Sequence, residues 1–454
     1  MSAPAPAVTS HDPYAALRVA NLRAYVAGNT LALVGRQAVI AVAIWQVYAW
    51  THSSAMLGLV GLVNVLPLLV FILPAGALAD RYDRKTVIAG GTAALAVINL
   101  GLAALSYWHS AVPALDPLRW TNALLRHVAM IFERHTDPAT LHFDNPALPL
   151  VFLLLSAHAT VRVLIWPARG SILPLLVPVE VLGNAITWNS SAFELATITG
   201  PAIGGMLVDR VGFVAVYAGG AACELVFLGL LRPVKYLVAP VRATAKRSWG
   251  EVLAGAQFIW RQKAMLGASS LDLFAVLLGG TTALLPVYAD QVLHVGPAGF
   301  GWLRAAPSLG AITMTFWVAH RAPLARPGRT LLWAVAGFGA ATIVFGLSHW
   351  FWLSFAALFL TGALDNISVV VRQSLLQLLT PDPLRGRVTA VNQIFVGSSN
   401  EIGALRAGLA SAIAGPVAAV VWGGLGTIAV AGVIARSVPA LRRLAPLHTL
   451  KPAA

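Results

Sequence analysis

The chain has 454 residues, 58% of them hydrophobic and only 11% charged, with a formal net charge of +14 and a single cysteine. A soluble domain carries about a quarter charged residues, so this composition excludes an ordinary soluble enzyme. The basic residues lie between apolar runs, as juxtamembrane anchors do, which argues against a nucleic-acid partner. Cys223, alone, allows neither an intrachain disulfide nor a cysteine metal centre.

Apolar runs of about 20 residues recur along the whole chain, and a run of that length crosses a bilayer as a helix. They predict twelve spans, with cores at 24–50, 56–79, 86–107, 149–175, 185–208, 213–231, 266–289, 298–319, 330–348, 351–378, 388–411 and 416–436. The first 20 residues lack the apolar core of a signal peptide, so the first span directs insertion. An even count puts both termini on one side. Arg119, Arg126, Arg134 and Arg210 fall on the opposite side, whereas most other Lys and Arg share the side of the termini. By the positive-inside rule that side is the cytoplasm.

The organisation expected is a first six-helix bundle over 1–231, a cytoplasmic linker over 232–265, a second bundle over 266–436 and a basic tail over 437–454. Within the linker, Ser248 to Lys263 is amphipathic and suited to the membrane surface. An outer loop over 108–148 carries Leu118, Trp120, Leu124, Leu125, Val128, Ile131 and Phe132 at helical spacing, predicting an interfacial helix. Its histidines and acids have no diagnostic metal spacing.

The two halves repeat. Residues 168–205 align without gaps to 371–408 at a constant offset of 203, with 10 of 38 positions identical, among them Arg169/Arg372, Pro178/Pro381, Gly183/Gly386, Asn189/Asn392 and Gly200/Gly403. Internal repeats with a site at mid-depth between them are the mark of secondary transporters.

Ionisable side chains inside spans cost at least about 2.5–3.5 kcal/mol each on insertion scales, so each needs a reason. They are Arg36, Arg162, Glu194, Glu224, Asp272, Arg304, Asp365, Glu401 and Arg406. Arg162 plus 203 is 365, which places a cation and an anion at pseudo-equivalent positions. Asp365 is therefore expected to be the main proton-responsive carboxylate and Arg162 its partner or a substrate anchor, with Glu401, Glu194 and Asp272 as the other proton-coupling candidates. The same pair could instead be a static link between halves. Glu224 is expected to snorkel or to pair locally, and Arg169 and Arg372 to anchor at headgroups or close an inner gate.

Residues 76–85 read G-A-L-A-D-R-Y-D-R-K, a charged hairpin between two apolar spans. It resembles the loop between helices 2 and 3 of the major facilitator superfamily, G-x-L-A-D-R-x-x-R-K. The start Y-A-A-L-R-V-A-N-L-R-A-Y-V-A-G at 14–28, P-D-P-L-R-G-R-V-T-A-V-N at 381–392 and G-S-S-N-E-I-G-A-L-R-A-G at 397–408 extend the resemblance over about residues 14–436. The branch it is similar to is that of drug and siderophore exporters, the enterobactin-exporter-like group.

The resemblance implies an all-α membrane protein of twelve transmembrane helices in two pseudo-symmetric six-helix bundles. It implies a central cavity lined by helices 1, 4, 7 and 10, where Arg36, Arg162 and Asp365 would sit. It also implies a gating motif of Gly76, Asp80, Arg81, Arg84 and Lys85, in which Asp80 accepts from the N-terminus of helix 11 in the outward-facing state. On helix 5, A-T-I-T-G-P-A-I-G-G at 196–205 matches an antiporter pattern at Gly200, Pro201, Gly204 and Gly205, with Ala196 replacing the first glycine. The same small residues would also serve plain helix packing.

The function expected is proton-coupled export of a small amphipathic or aromatic molecule from a bacterial inner membrane, by a monomer whose partners are substrate, protons and lipids. No nucleotide-binding P-loop is present, and no metal, cofactor or catalytic residue is expected. An importer or lipid flippase of the same fold is the nearest alternative, and a polytopic membrane enzyme a more distant one.

Overall fold

The computed structural model describes residues 12–112, 115–135, 137–238, 249–320 and 326–446, and among them the regular structure is helical throughout. The main helices are α1 (Ala20–Thr51), α2 (Ser54–Arg81), α3 (Arg84–Tyr107), α4 (Asp116–Phe132), α5 (Leu148–Leu176), α6 (Val179–Leu231) and α7 (Trp249–Arg261), then α8 (Lys263–Gly279), α9 (Gly296–Ala319), α10 (Pro327–Leu347), α11 (Phe351–Leu379), α12 (Asp382–Ala414) and α13 (Pro416–Ser437).

Nine helical segments among the described residues are long and apolar enough to cross a membrane, α8 with its irregular continuation to Val292 included. One of them, α6, holds two spans. It breaks at Gly212, whose φ of 78° and ψ of 179° suit only glycine. The two remaining spans are α9 and α12. Arg304 in α9, and Arg385, Arg387, Glu401 and Arg406 in α12, dilute their hydropathy. The result is the expected twelve-helix membrane architecture.

Helix ends follow local chemistry. The Ser53 hydroxyl accepts from the Met56 amide at 3.2 Å to cap α2, and Asp83 Oδ1 accepts from the Thr86 amide at 2.8 Å to cap α3. Proline in the first turn begins α5, α9, α10 and α13, where an amide proton would have no helical partner.

One face of the bundle, here the near face, holds the start of α1 and the end of α13; the far face is opposite. At the near face the apolar cores stay within their own halves. Leu22, Tyr25, Ile88, Ile172 and Phe227 form one, and Leu271, Leu331, Val371 and Leu375 another. At the far face a single core joins the halves, with Trp45, Tyr48 and Leu57 packed among Leu284, Tyr288, Phe300 and Leu303. The halves are thus sealed at the far face.

Within the segment read as the outer loop, α4 is amphipathic as expected. Trp120, Leu124 and Ile131 are exposed while Asn122 and Ala129 are buried. The linker helix α7 packs on α12 through Ile259 against Val388 and Val391, and through Gly255 against the Arg387 backbone. Ser248, the start of the amphipathic segment, lies outside the described residues.

Candidate functional site at the seam between the bundles

The seam is built by backbones that approach closely. Gly58 meets Gly408, and Gly61 meets the Glu401 carbonyl, so α2 and α12 run in contact. Gly205 of α6 faces Pro297 and Gly301 of α9, and a methyl group on Gly205 would collide with the Pro297 carbonyl oxygen. Gly200 and Gly204 press on Val34, Gln37 and Ala38 of α1. The glycines of the 196–205 motif therefore serve two contacts, one inside the first bundle and one across the seam.

Polar contacts complete the far-face seal. Tyr48 Oη donates to Asp290 Oδ2 at 2.9 Å, and Ser411 Oγ to Ser54 Oγ at 3.0 Å. The end of the loop helix adds a clasp. Glu133, 6% exposed, accepts from Ser53 Oγ at 2.7 Å and from the Ala55 amide at 2.9 Å. The next two amides, of Arg134 and His135, both donate to the Ala412 carbonyl, at 2.9 and 3.2 Å.

At mid-depth, Arg162 of α5, Arg304 of α9 and Glu401 of α12 come within electrostatic reach of one another, with Asn64 of α2 beside the Glu401 carboxyl. Two bundles contribute to the group. Neither arginine reaches a carboxylate within 4.0 Å among the described residues. All three charged side chains keep part of their surface open. A guanidinium at mid-depth is not stable against lipid, so this surface faces the space between the bundles.

This geometry corrects the expected pairing. Arg162 does not meet Asp365; its counter-charge is Glu401. Asp365 is turned into the second bundle, where it lines a cavity of about 10 Å³ with Asp272, Ser368, Val335 and Phe338. Asp272 is ion-paired with Arg372, and both are buried. Arg372 is therefore an interior partner and not a headgroup anchor. Arg36, expected in the cavity, is likewise interior: its Nε lies 2.6 Å from Glu224 Oε1, at 7% and 0% exposure. Arg169 stacks its guanidinium 5.5 Å from the Phe227 ring centroid. Glu194 is half-buried in the first span of α6. Arg406 Nη2 donates to the Leu278 carbonyl at 2.5 Å, near the end of α8.

The charged hairpin at the near face docks on the chain just after α6. Lys85 Nζ donates to the carbonyls of Arg232 at 2.6 Å and Val234 at 2.8 Å, a cation at a helix C-terminus. Tyr236 Oη accepts from the Lys85 amide and donates to Asp83 Oδ2, both at 2.8 Å. Burial pulls the Asp83 carboxyl up, but hydrogen bonds from the Thr86 amide, Tyr236 and the Thr86 hydroxyl outweigh it and hold the group below the usual carboxylate range. Burial, and then the bond to Asp83, push the Tyr236 phenol up to about 12. Arg81 lies over the Tyr82 ring. Asp80 makes no hydrogen bond or ion pair among the described residues.

Sequence reasoning left out Tyr48, Asp290, Asn64 and Tyr236. None lies in a recognisable motif, and their partners are distant in the chain. Glu133 carried a weak signal, as one acid in a long outer loop.

The family model described as Major Facilitator Superfamily matches residues 26–404. The chain belongs to that superfamily. It is a transporter and an integral membrane protein. It is 27% identical over 430 residues to the enterobactin exporter EntS of Shigella boydii serotype 4 (strain Sb227), covering 94% of this chain and 93% of the relative. The same figures hold for the enterobactin exporter EntS of Escherichia coli O157:H7 (strain EC4115 / EHEC). Its fold is similar to a bacterial homolog of the human lysosomal transporter Spinster in an inward-facing, unoccupied conformation, with TM-score 0.66, 16% identity and coverage of 95% and 99%. It is also similar to the inward-open xylose transporter XylE from E. coli, with TM-score 0.62, 14% identity and coverage of 94% and 97%.

Proposed function

We propose that this major facilitator is a proton-coupled exporter of a small amphipathic or aromatic molecule, drug-like or siderophore-like, in a bacterial inner membrane. One observation carries the reading: Glu401, an ionisable carboxylate, stands at the seam opposite arginines from both bundles. The curated relatives' name, enterobactin exporter, favours the outward direction and a siderophore-like substrate.

The termini are cytoplasmic, so the sealed far face is the outer gate and the protein is inward-facing. Residues 1–231 and 266–436 rock against each other about the 232–265 linker. While Glu401 is ionised and unoccupied, its attraction to Arg162 and Arg304 ties α12 and α9 to α5. A proton removes that tie. A substrate hydroxyl donating to the carboxylate replaces it. Because proton and substrate compete for one group, their binding is negatively linked, and that competition makes exchange in opposite directions obligatory.

Asp80 works in the other state. With the far face open, α12 approaches the hairpin and the Asp80 carboxylate meets the amides of its first turn, a favourable end of a helix dipole for an anion. Arg81 and Arg84 lie on the same closing surface. The protein acts as a monomer.

The reading is tested in inverted membrane vesicles that hold a pH gradient, with a panel of aromatic and hydroxyl-rich compounds. A substrate collapses the gradient in the wild type and not in Glu401→Gln. Equal collapse in both would remove Glu401 from coupling. No collapse with any compound that the protein demonstrably moves would end the proton-coupling reading.

A further inference from the structure

The cavity beside Asp365 lies away from the seam, inside the second bundle, between α8, α10 and α11. Its lining includes two carboxylates, Asp272 and Asp365, and the Ser368 side chain one turn along α11. Asp272 is satisfied by Arg372. Asp365 forms no hydrogen bond or ion pair among the described residues.

Two independent features point to an occupant. First, ionised Asp272 and Asp365 against one Arg372 leave a net charge of −1 around a cavity within the membrane span, where an uncompensated charge is costly. A monovalent cation balances it; a divalent ion would overshoot, and an anion would add to it. Second, Ser368 is 2% exposed and its hydroxyl has no hydrogen-bond partner among the described residues. An orphaned buried hydroxyl oxygen calls for a donor or a cation. The cavity volume of about 10 Å³ is close to the space one water-sized species needs. Hard cations take carboxylate and hydroxyl oxygens as ligands. A carboxylate that only bound a proton would need neither the void nor the free hydroxyl.

We propose that Asp365, Asp272 and Ser368 form a sodium site in the second bundle, with Arg372 setting its charge so that one monovalent ion neutralises it. Asp365 supplies the free charge, Ser368 a neutral oxygen, and Asp272 a carboxylate shared with Arg372. A proton on Asp365 displaces the ion, so sodium binding weakens as pH falls. The site is separate from Glu401, and its existence does not depend on the direction of transport or on proton coupling at the seam.

The test is equilibrium binding of radioactive sodium to the purified full-length protein in detergent, with empty micelles as background and no pH gradient. The wild type is expected to bind about one ion, displaced by unlabelled sodium at least about tenfold better than by potassium. Asp365→Asn abolishes the signal. Ser368→Ala weakens it several-fold, while Ser368→Thr, which keeps the hydroxyl, restores most of it. Glu401→Gln binds sodium as the wild type does. Absence of sodium binding above background, as a proton-only site would give, overturns the proposal. So does binding that Asp365→Asn leaves intact. Asp365→Asn keeps the side chain's shape and the Asp272–Arg372 pair, and an unchanged gel-filtration profile confirms that it folds. Failure of the vesicle experiment with normal sodium binding would count against seam coupling alone.

Discussion

Tyr48 and Asp290 are joined across the seam: the phenol of α1 donates to a carboxylate beyond the end of α8, at 2.9 Å. The bond sits beside the tilted rings of Trp45 and Phe300, 5.4 Å apart, and so belongs to the one apolar core that both bundles share. A hydrogen bond to a charged group contributes about 1.5–3 kcal/mol. In a protein whose two states differ by a few kcal/mol, that is enough to decide which gate is closed.

Tyr48→Phe should therefore favour opening of the far face. It removes one hydroxyl and keeps the ring packing. In a Cys223→Ser background, a cysteine placed at Ser54 should react with a water-soluble maleimide about tenfold faster once Tyr48 is replaced. An unchanged rate would mean that the bond forms without weighting the gate.

Gly205 should not tolerate a side chain. Gly205→Val drives a β-branched group into the Pro297 carbonyl and the Gly301 backbone. The sealed state is then disfavoured, with transport falling at least about tenfold while the protein still inserts. Gly219, with open space at its Cβ position, is the control, and Gly219→Ala should be nearly silent. The two rates are compared in the same vesicles.

The interior pair Arg36–Glu224 should behave as a unit. Removing one partner leaves a buried charge uncompensated, and such changes cost about 3–5 kcal/mol. Arg36→Gln and Glu224→Gln should each lower the thermal midpoint markedly. The double variant Arg36→Met, Glu224→Met should recover most of the loss. A double variant as unstable as the sum of the singles would show that the two residues act independently.

At the near face, Asp83 predicts an acid sensitivity. Its carboxyl is held below the ordinary range in the folded protein. The stabilisation it gives is therefore complete above the unfolded value of about 3.9 and is lost as pH falls through the folded one. A spin label at Tyr82→Cys should gain mobility only in that acid window. With Asp83→Ala, which removes a helix cap worth about 0.5–2 kcal/mol, the label should be mobile at neutral pH as well.

How much of this was legible in the sequence depends on the range of the interaction. The spans, the charged hairpin and the close-packing glycines are local patterns, and the structure shows helices and contacts at those positions. The partners of the buried charges were not legible. The 203-residue offset relates Arg162 to Asp365 by position in the repeat, but it does not fix helix rotation within each bundle. Asp365 turns towards α8 and α10, and Arg162 towards α12. Spacing alone likewise could not say that Arg36 meets Glu224, because that meeting depends on how α1 packs on α6, with Gly35 seated against Cys223 and Gly220. Tyr236 was silent for a different reason. It lies in a linker, and its role appears only when the hairpin folds back onto it.

The most direct test of the central claim, that the charge on Glu401 ties the bundles together, is a pair of spin-label distances followed against pH. Labels at Tyr82→Cys and Gly386→Cys report the near face, and labels at Trp108→Cys and Trp350→Cys the far face, in a Cys223→Ser background. The account predicts that acid lengthens the far-face distance and shortens the near-face one, and that Glu401→Gln gives the acid distances at every pH. Distances that ignore pH, or a Glu401→Gln variant that titrates like the wild type, would contradict it.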